Sequence, residues 1–213
     1  MKKVLISIGA VFVLVAGLLG VTKYTADAAP CAGTFSIGVG GVGGGNSEYI
    51  KNVTARVNYT ALPFSFSIQE GANNLDKIYR DQRNLCPNQH VKVVGHSGGA
   101  AVTHVWVTQK APTNTNVVLL ADPKRPAGPG GPGVGAITGF LGYPLAGVDN
   151  FYNGVPVLSI CNAGDGICNI NGGPVGYFTG VHQQPRGAVV AQRDGLARSR
   201  PIGLQQVWEF RGQ

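Results

Sequence analysis

The sequence predicts an α/β fold, a central parallel five-stranded sheet flanked by helices, and two observations carry the expectation. Short runs rich in β-branched residues, at 34–39, 53–59, 91–94, 117–121 and 155–160, alternate with stretches of helical periodicity. Most of those runs are almost unbroken apolar, the pattern of strands covered on both faces and not of an open sheet with one wet side.

The first 28 residues stand apart from that fold. Lys2 and Lys3 precede an apolar run over 4–21, and Ala26-Asp27-Ala28 follows with small residues where a signal peptidase cuts. Residues 1–28 therefore read as a secretory signal peptide, with an uncleaved N-terminal anchor as the alternative, and 29–213 as a single domain that is secreted or associated with the cell envelope. Lys2, Lys3, Lys23 and Asp27 leave with the leader, so 17 basic and 10 acidic residues become 14 and 9. The remaining basic residues are scattered, with a loose group at Arg193, Arg198 and Arg200 and no interleaved aromatics. That pattern excludes nucleic-acid binding and suits a monomer drawn weakly to an anionic lipid or envelope surface.

Between the strands, 67–85 reads as a helix with Ile68, Ala72, Leu75, Ile78 and Tyr79 on one face and a Ser67/Glu70 capping box at its start. A second helix is expected from Ser97 or Gly98 through Trp106, and shorter ones at 47–51 and 204–210. One stretch breaks the alternation. Residues 126–154 carry four prolines among many glycines, with Ile137, Phe140, Leu141, Tyr143 and Leu145 interspersed. A loop of that length between the fourth and fifth strands lies near the carboxyl ends of the sheet, and reads as an apolar flap or binding loop or as a passive excursion.

All four cysteines, Cys31, Cys86, Cys161 and Cys168, lie in the exported part, so two disulfides are expected from three pairings. The local pairing is Cys161 with Cys168, which leaves Cys31 with Cys86.

The chemistry centres on Gly95-His96-Ser97-Gly98-Gly99. In a chain with 33 glycines the bare Gly-x-Ser-x-Gly pattern carries little by itself. Its context carries more: it follows the apolar run 91–94 and precedes a helix-compatible segment, the strand, sharp turn and helix that a nucleophile elbow needs. Ser97 is the expected nucleophile. For the orienting acid, Asp165 lies in the cysteine-bracketed loop after the last expected strand, and Asp122 follows the fourth strand and competes with it. Of four histidines, His96 adjoins the nucleophile and should point away, His90 lies at the amino end of its strand, and His104 is two helical turns past Ser97. His182, on a loop after the acid, is the expected base. Oxyanion donors are expected from the amide of Gly98 and from Gly40 or Gly41 in the glycine-rich loop after the first strand. That loop also matches Gly38-x-Gly40-x-x-Gly43, but no acid near position 60 would hold a ribose, so no cofactor and no metal are expected.

Together these residues resemble the cutinase-like serine esterases. The resemblance runs from about Cys31 to His182, through Thr34-Phe35, Tyr59-Thr60-Ala61, Ser67-x-x-x-Gly71-x-x-x-Leu75, Cys86-Pro87, the Ser97 elbow and Cys161-x-x-x-Asp165-x-x-Cys168. It implies an α/β-hydrolase of cutinase type with Ser97, Asp165 and His182 as its triad, bridges Cys31–Cys86 and Cys161–Cys168, and hydrolysis of carboxylic, lipid or fatty-acyl esters. Asp122-Pro123-Lys124-Arg125-Pro126-x-Gly128 resembles the esterase domain of mycobacterial PE/PPE proteins, which implies acyl esters and envelope lipids as substrates and acyl transfer to a sugar or glycolipid hydroxyl as an alternative. Two positions depart from the family pattern. Gly98 stands where Gln is usual, and Gly41 where Ser or Thr is usual, which keeps open a non-catalytic envelope-binding module.

Overall fold

A computed structural model describes residues 31–43, 50–128 and 130–183, and the backbone of two strands at 189–193 and 196–198. The leader over 1–28, the start of the 47–51 helix and the helix at 204–210 lie outside the described residues. Ile50 and Lys51, the end of the former, are not helical.

The described chain runs β1 (Thr34–Val39), β2 (Ala55–Arg56), α1 (Ser65–Leu85), β3 (His90–His96), α2 (Gly98–Lys110), β4 (Thr115–Leu120), β5 (Val157–Asn162), α3 (Val175–Phe178), β6 (Val189–Arg193) and β7 (Leu196–Arg198). The sheet order is β2-β1-β3-β4-β5-β6-β7. The first five strands are parallel, as the sequence predicts, and β6 and β7 extend the sheet as an antiparallel pair. That pair was not expected, because Val189-Val190-Ala191 is too short an apolar run to stand out among charged neighbours. The strand expected at 53–59 pairs only at Ala55 and Arg56.

Register explains where the chemistry gathers. Gly95 lies opposite Val39 on β1 and Leu119 on β4, so β1, β3 and β4 finish side by side. The loops bearing Gly41, Ser97 and Asp122 leave from this carboxyl edge, and the Asp165 loop leaves the same end of β5. In open parallel sheets this is the edge where ligands bind.

The main core lies between the sheet and the two long helices. Val91, Val93, Val117 and Leu119 face Ile68, Leu75, Val105 and Trp106, all nearly or fully buried. Every residue of α2 from Gly98 to Val107 is buried, because α1 covers the side of α2 turned from the sheet. Covering of the other sheet face is only partial: His90, Lys92 and Val94 alternate with buried partners, so β3 is not sealed on both faces as its apolar run suggested.

The expected capping box does not form. Helix α1 begins two residues early at Ser65, with Phe64 as its N-cap and no side-chain cap. Ser67 Oγ instead accepts from the Leu62 amide (3.0 Å), and Glu70 accepts from the amide (3.0 Å) and hydroxyl of Thr60. Both side chains fasten the incoming chain to the helix, so local pattern was overridden by a neighbouring backbone segment.

Both disulfides form as expected: Cys31–Cys86 ties β1 to the end of α1 across 55 residues, and Cys161–Cys168 closes a separation of 7. The longer bridge contributes about 4 kcal/mol if chain entropy of the unfolded state is the main term.

The described residues of 126–154 are ordered by contacts, not a free excursion. They contain two 3-10 turns, Val134–Ile137 and Gly139–Leu141. Leu145 and Tyr152 enter the core, while Ile137, Phe140 and Tyr143 stand 66%, 85% and 75% exposed. Arg125 Nη1 donates to the carbonyls of Gly131 (2.8 Å) and Cys168 (3.2 Å), and the Val134 amide donates to the Ile167 carbonyl (2.8 Å). The first half of the flap is thereby sewn to the loop that carries Asp165.

Candidate active site

Ser97 sits between β3 and α2 at φ 56°, ψ −122°, a region that non-glycine residues rarely enter. The turn holds because its neighbours lack side chains. A Cβ on Gly95 would lie 2.4 Å from the Gly99 carbonyl oxygen, and one on Gly99 would lie 2.1 Å from the Val39 carbonyl oxygen. Gly95 and Gly99 are thus required by backbone contact on both sides of the serine.

Three expected residues meet here. Ser97 Oγ donates to His182 Nε2 at 2.8 Å, and His182 Nδ1 donates to Asp165 Oδ2 at 2.8 Å. Asp165 is 1% exposed, and its Oδ1 accepts from the Ile167 amide at 2.9 Å. The acid is further fixed by its own turn, in which the Asp165 amide donates to the Asn162 carbonyl and the Asp165 carbonyl accepts from the Asn169 amide, both at 2.9 Å. The Cys161–Cys168 bridge encloses this turn. Asn169 pins it from outside, donating to the Ala163 carbonyl (2.6 Å) and accepting from the Gly131 amide (2.6 Å).

His182 is held from its other side by α3. Its amide donates to the Gly176 carbonyl (3.2 Å), and a Cβ on Gly176 would fall 1.8 Å from the Gly164 carbonyl oxygen, so α3 rests directly on the acid loop.

Sequence reasoning missed the next layer. His96 is buried and its Nε2 donates to the main-chain carbonyl of His182 (3.3 Å), with the two rings 5.2 Å apart. Burial, with repulsion from His182 adding, pushes His96 down to about 4, so it is neutral at physiological pH and serves as a donor. Tyr177 packs its ring 5.2 Å from that of His182. The pattern Gly-His-Ser hinted at His96, but nothing in one dimension places it under a loop 86 residues away.

The loop after β1 approaches Ser97 as expected. A Cβ on Gly41 would lie 3.1 Å from the Ser97 Cβ, and one on Gly98 would lie 3.1 Å from Val42 Cγ2. The Gly40 carbonyl accepts from the Tyr59 hydroxyl at 2.7 Å, and burial raises the Tyr59 pKa, which keeps that hydroxyl a donor. Tyr59 thereby fixes the peptide that carries Gly40 and Gly41. Replacing Tyr59 with Phe is expected to slow any acyl transfer at Ser97 about fivefold in kcat with little change in KM, since one neutral hydrogen bond is worth about 1 kcal/mol. Steady-state kinetics of the folded variant check it; an unchanged kcat would show that the loop needs no such anchor.

The remaining histidines and the competing acid are engaged elsewhere. Asp122 does not face His182. Its Oδ2 accepts from His104 Nδ1 at 2.7 Å and its Oδ1 from the Lys124 amide at 2.9 Å. His104 Nε2 donates in turn to Asp149 Oδ1 at 3.0 Å. Burial alone would lower His104, but the two carboxylates outweigh it and hold it up to about 9. His90 bonds Asn114 at the far end of β3. Among the described residues no three His, Cys, Asp or Glu converge as a metal-binding group, and no helix is long and apolar enough to cross a membrane.

Comparison with known proteins settles the family. The Cutinase family profile matches residues 34–186. The chain belongs to the cutinase family. A curated cutinase from Blumeria hordei is 30% identical over 132 residues, 58% of this chain, and the chain spans about half (47%) of that relative's length. Among solved structures, a cutinase-like protein from Cryptococcus sp. aligns over 68% of this chain and 83% of its own, at 20% identity and TM-score 0.50, a likeness of fold. Lysin B from Mycobacteriophage D29 aligns over 47% of this chain and 49% of its own at 17% identity and TM-score 0.36, too low to bear on the fold of this cutinase-family chain.

Proposed function

We propose that this protein is an exported serine esterase that cleaves carboxylic esters of lipid or fatty-acyl type through an acyl-enzyme on Ser97. The observation that carries the reading is the unbroken line of hydrogen bonds from Asp165 through His182 to Ser97, at 2.8 Å in each link. Family membership over 34–186 supports it, as do two disulfides that suit an oxidising compartment.

Ser97 Oγ attacks the ester carbonyl carbon while His182 Nε2 takes its proton. The negative charge reaches the carbonyl oxygen, where the Gly98 amide in the first turn of α2 and the Gly40–Gly41 peptides are its donors. The bond to the alcohol oxygen then breaks, His182 returns the proton to that oxygen, and the acyl group stays on Ser97. Water repeats the sequence, giving its proton to His182 and releasing the acid. Asp165 holds Nδ1 protonated, so Nε2 always presents its lone pair to Ser97, and it stabilises the imidazolium in between. Exposed Phe178, stacked edge-on against Tyr177 beside His182, favours an apolar ester over a peptide.

A fluorophosphonate probe tests the reading. The expected result is one adduct, on Ser97, with parallel loss of p-nitrophenyl ester hydrolysis. A folded protein that takes no adduct would remove the proposal.

A further inference from the structure

An apolar groove of about 340 Å³ lies beside the triad, between the first 3-10 turn of the flap, the disulfide-closed acid loop and α3. Val134, Ile137, Ile167, Ile170, Tyr177 and Phe178 line it. Neighbouring backbone amides are already spoken for, Val134 by the Ile167 carbonyl and Ile170 by the Pro132 carbonyl, so the wall has little to hold a polar ligand. Its rim is costly in water: Phe178 is 82% exposed and Ile137 66%. Volume and lining fit a hydrocarbon chain.

The position of the groove says which chain. Tyr177 is a shared wall, with its ring 5.2 Å from that of His182 on one side and edge-on to Phe178 at 5.5 Å on the other. In the acyl transfer proposed above, His182 Nε2 delivers its proton to the leaving oxygen, so the carbon skeleton of the alcohol departs on the histidine side. The oxyanion side lies across Ser97, at Gly41 and Gly98. We infer that the groove binds the hydrocarbon of the ester's alcohol part, so that the protein selects esters of long-chain alcohols. This rests on the esterase reading, and it also predicts a binding property that does not.

Two series of soluble esters separate the arms: butyrates of ethanol through octanol, and ethyl esters of acids of matching length. In the wild-type protein kcat/KM is expected to rise about two- to fourfold per added alcohol carbon, the effect of burying a methylene. Ile137→Asp places a charge on the groove's rim at an exposed position and should flatten the alcohol series by tenfold or more at octyl, leaving the acyl series with its wild-type slope. Leu85→Asp, exposed at the far end of α1, should change neither slope. An alcohol series left intact by Ile137→Asp, or an acyl series flattened in its place, would overturn the inference. Binding is read separately in Ser97→Ala by titrating 1-octanol against the methyl NMR signals of Val134, Ile137, Ile167 and Ile170. Saturable shifts confined to these methyls support the groove, and their absence overturns it. If Ser97 takes no fluorophosphonate and no ester is cleaved, the esterase reading falls, while the octanol titration still decides the groove.

Discussion

Replacing Asp165 with Asn should cut kcat for ester hydrolysis about 10⁴-fold while leaving the fold intact. The reason is proton placement. Asp165 offers Oδ1 to the Ile167 amide (2.9 Å) and Oδ2 to His182 Nδ1 (2.8 Å). An asparagine that keeps the first bond through its oxygen must turn its amide nitrogen to His182. The imidazole then accepts at Nδ1 and carries its proton on Nε2, where it can no longer take the proton of Ser97. The paired control is Asp122→Asn, because Asp122 is the other acid at a strand end and lies against His104 instead. That variant should lose stability but keep kcat within about threefold, since no reacting atom is near it. Steady-state kinetics with thermal melts of both variants decide the matter. A large kcat loss in Asp122→Asn with none in Asp165→Asn would exchange the roles of the two acids.

Two members of the candidate site are legible because a local constraint marks each. Gly95 and Gly99 mark Ser97 through contacts that forbid a Cβ, and two cysteines seven residues apart mark the acid turn. His182 carries no such mark, and only the fold shows it between Asp165 and Ser97. His96 reads in the sequence as a residue pointing away from the nucleophile, and in the fold its Nε2 reaches the backbone of His182. Its role depends on the β3 edge and the 176–182 loop meeting in space, a contact with no sequence period. Tyr59 was visible only as part of a family motif, and its hydrogen bond to Gly40 gives that motif a physical purpose.

The fold divides in the same way. Parallel strands β1, β3, β4 and β5 were evident from β-branched runs, with edges shifted by a few residues. The antiparallel β6–β7 pair was missed because short strands at a sheet edge owe their pairing to a neighbour and not to their own composition. Ser67 and Glu70 satisfied a helix-start pattern but were recruited by the 60–62 backbone, where unpaired amides outweighed the local rule. Proline and glycine content predicted that 126–154 is irregular. It could not reveal that Arg125 and Asn169 bind this stretch to the acid loop.

A further large effect is expected at His104, whose part in the fold the sequence hid entirely. It is fully buried on α2, with Asp122 at 2.7 Å on one ring nitrogen, Asp149 at 3.0 Å on the other and the Tyr152 ring 5.1 Å away. Lys124, from the same turn as Asp122, donates to the carbonyls of Ala146 (3.1 Å) and Gly147 (3.0 Å), so the cluster fastens the second half of the flap. Removing one member strands a buried charge, and His104→Leu should cost about 3–5 kcal/mol. For a chain of this size that lowers Tm by about 6–20 °C. The pH dependence has a definite sign. His104 rises from 6.5 to about 9 on folding, so between those values the folded state binds the extra proton. Its stabilisation is complete below about pH 6.5 and is lost as pH rises through about 9. Melting curves across that window should therefore fall with pH in the wild-type protein more steeply than in His104→Leu. The double variant His104→Leu/Asp122→Asn, which removes the stranded carboxylate, should recover part of the loss. Equal melting of wild type and His104→Leu at every pH would mean that packing alone, and not this charge cluster, holds the flap.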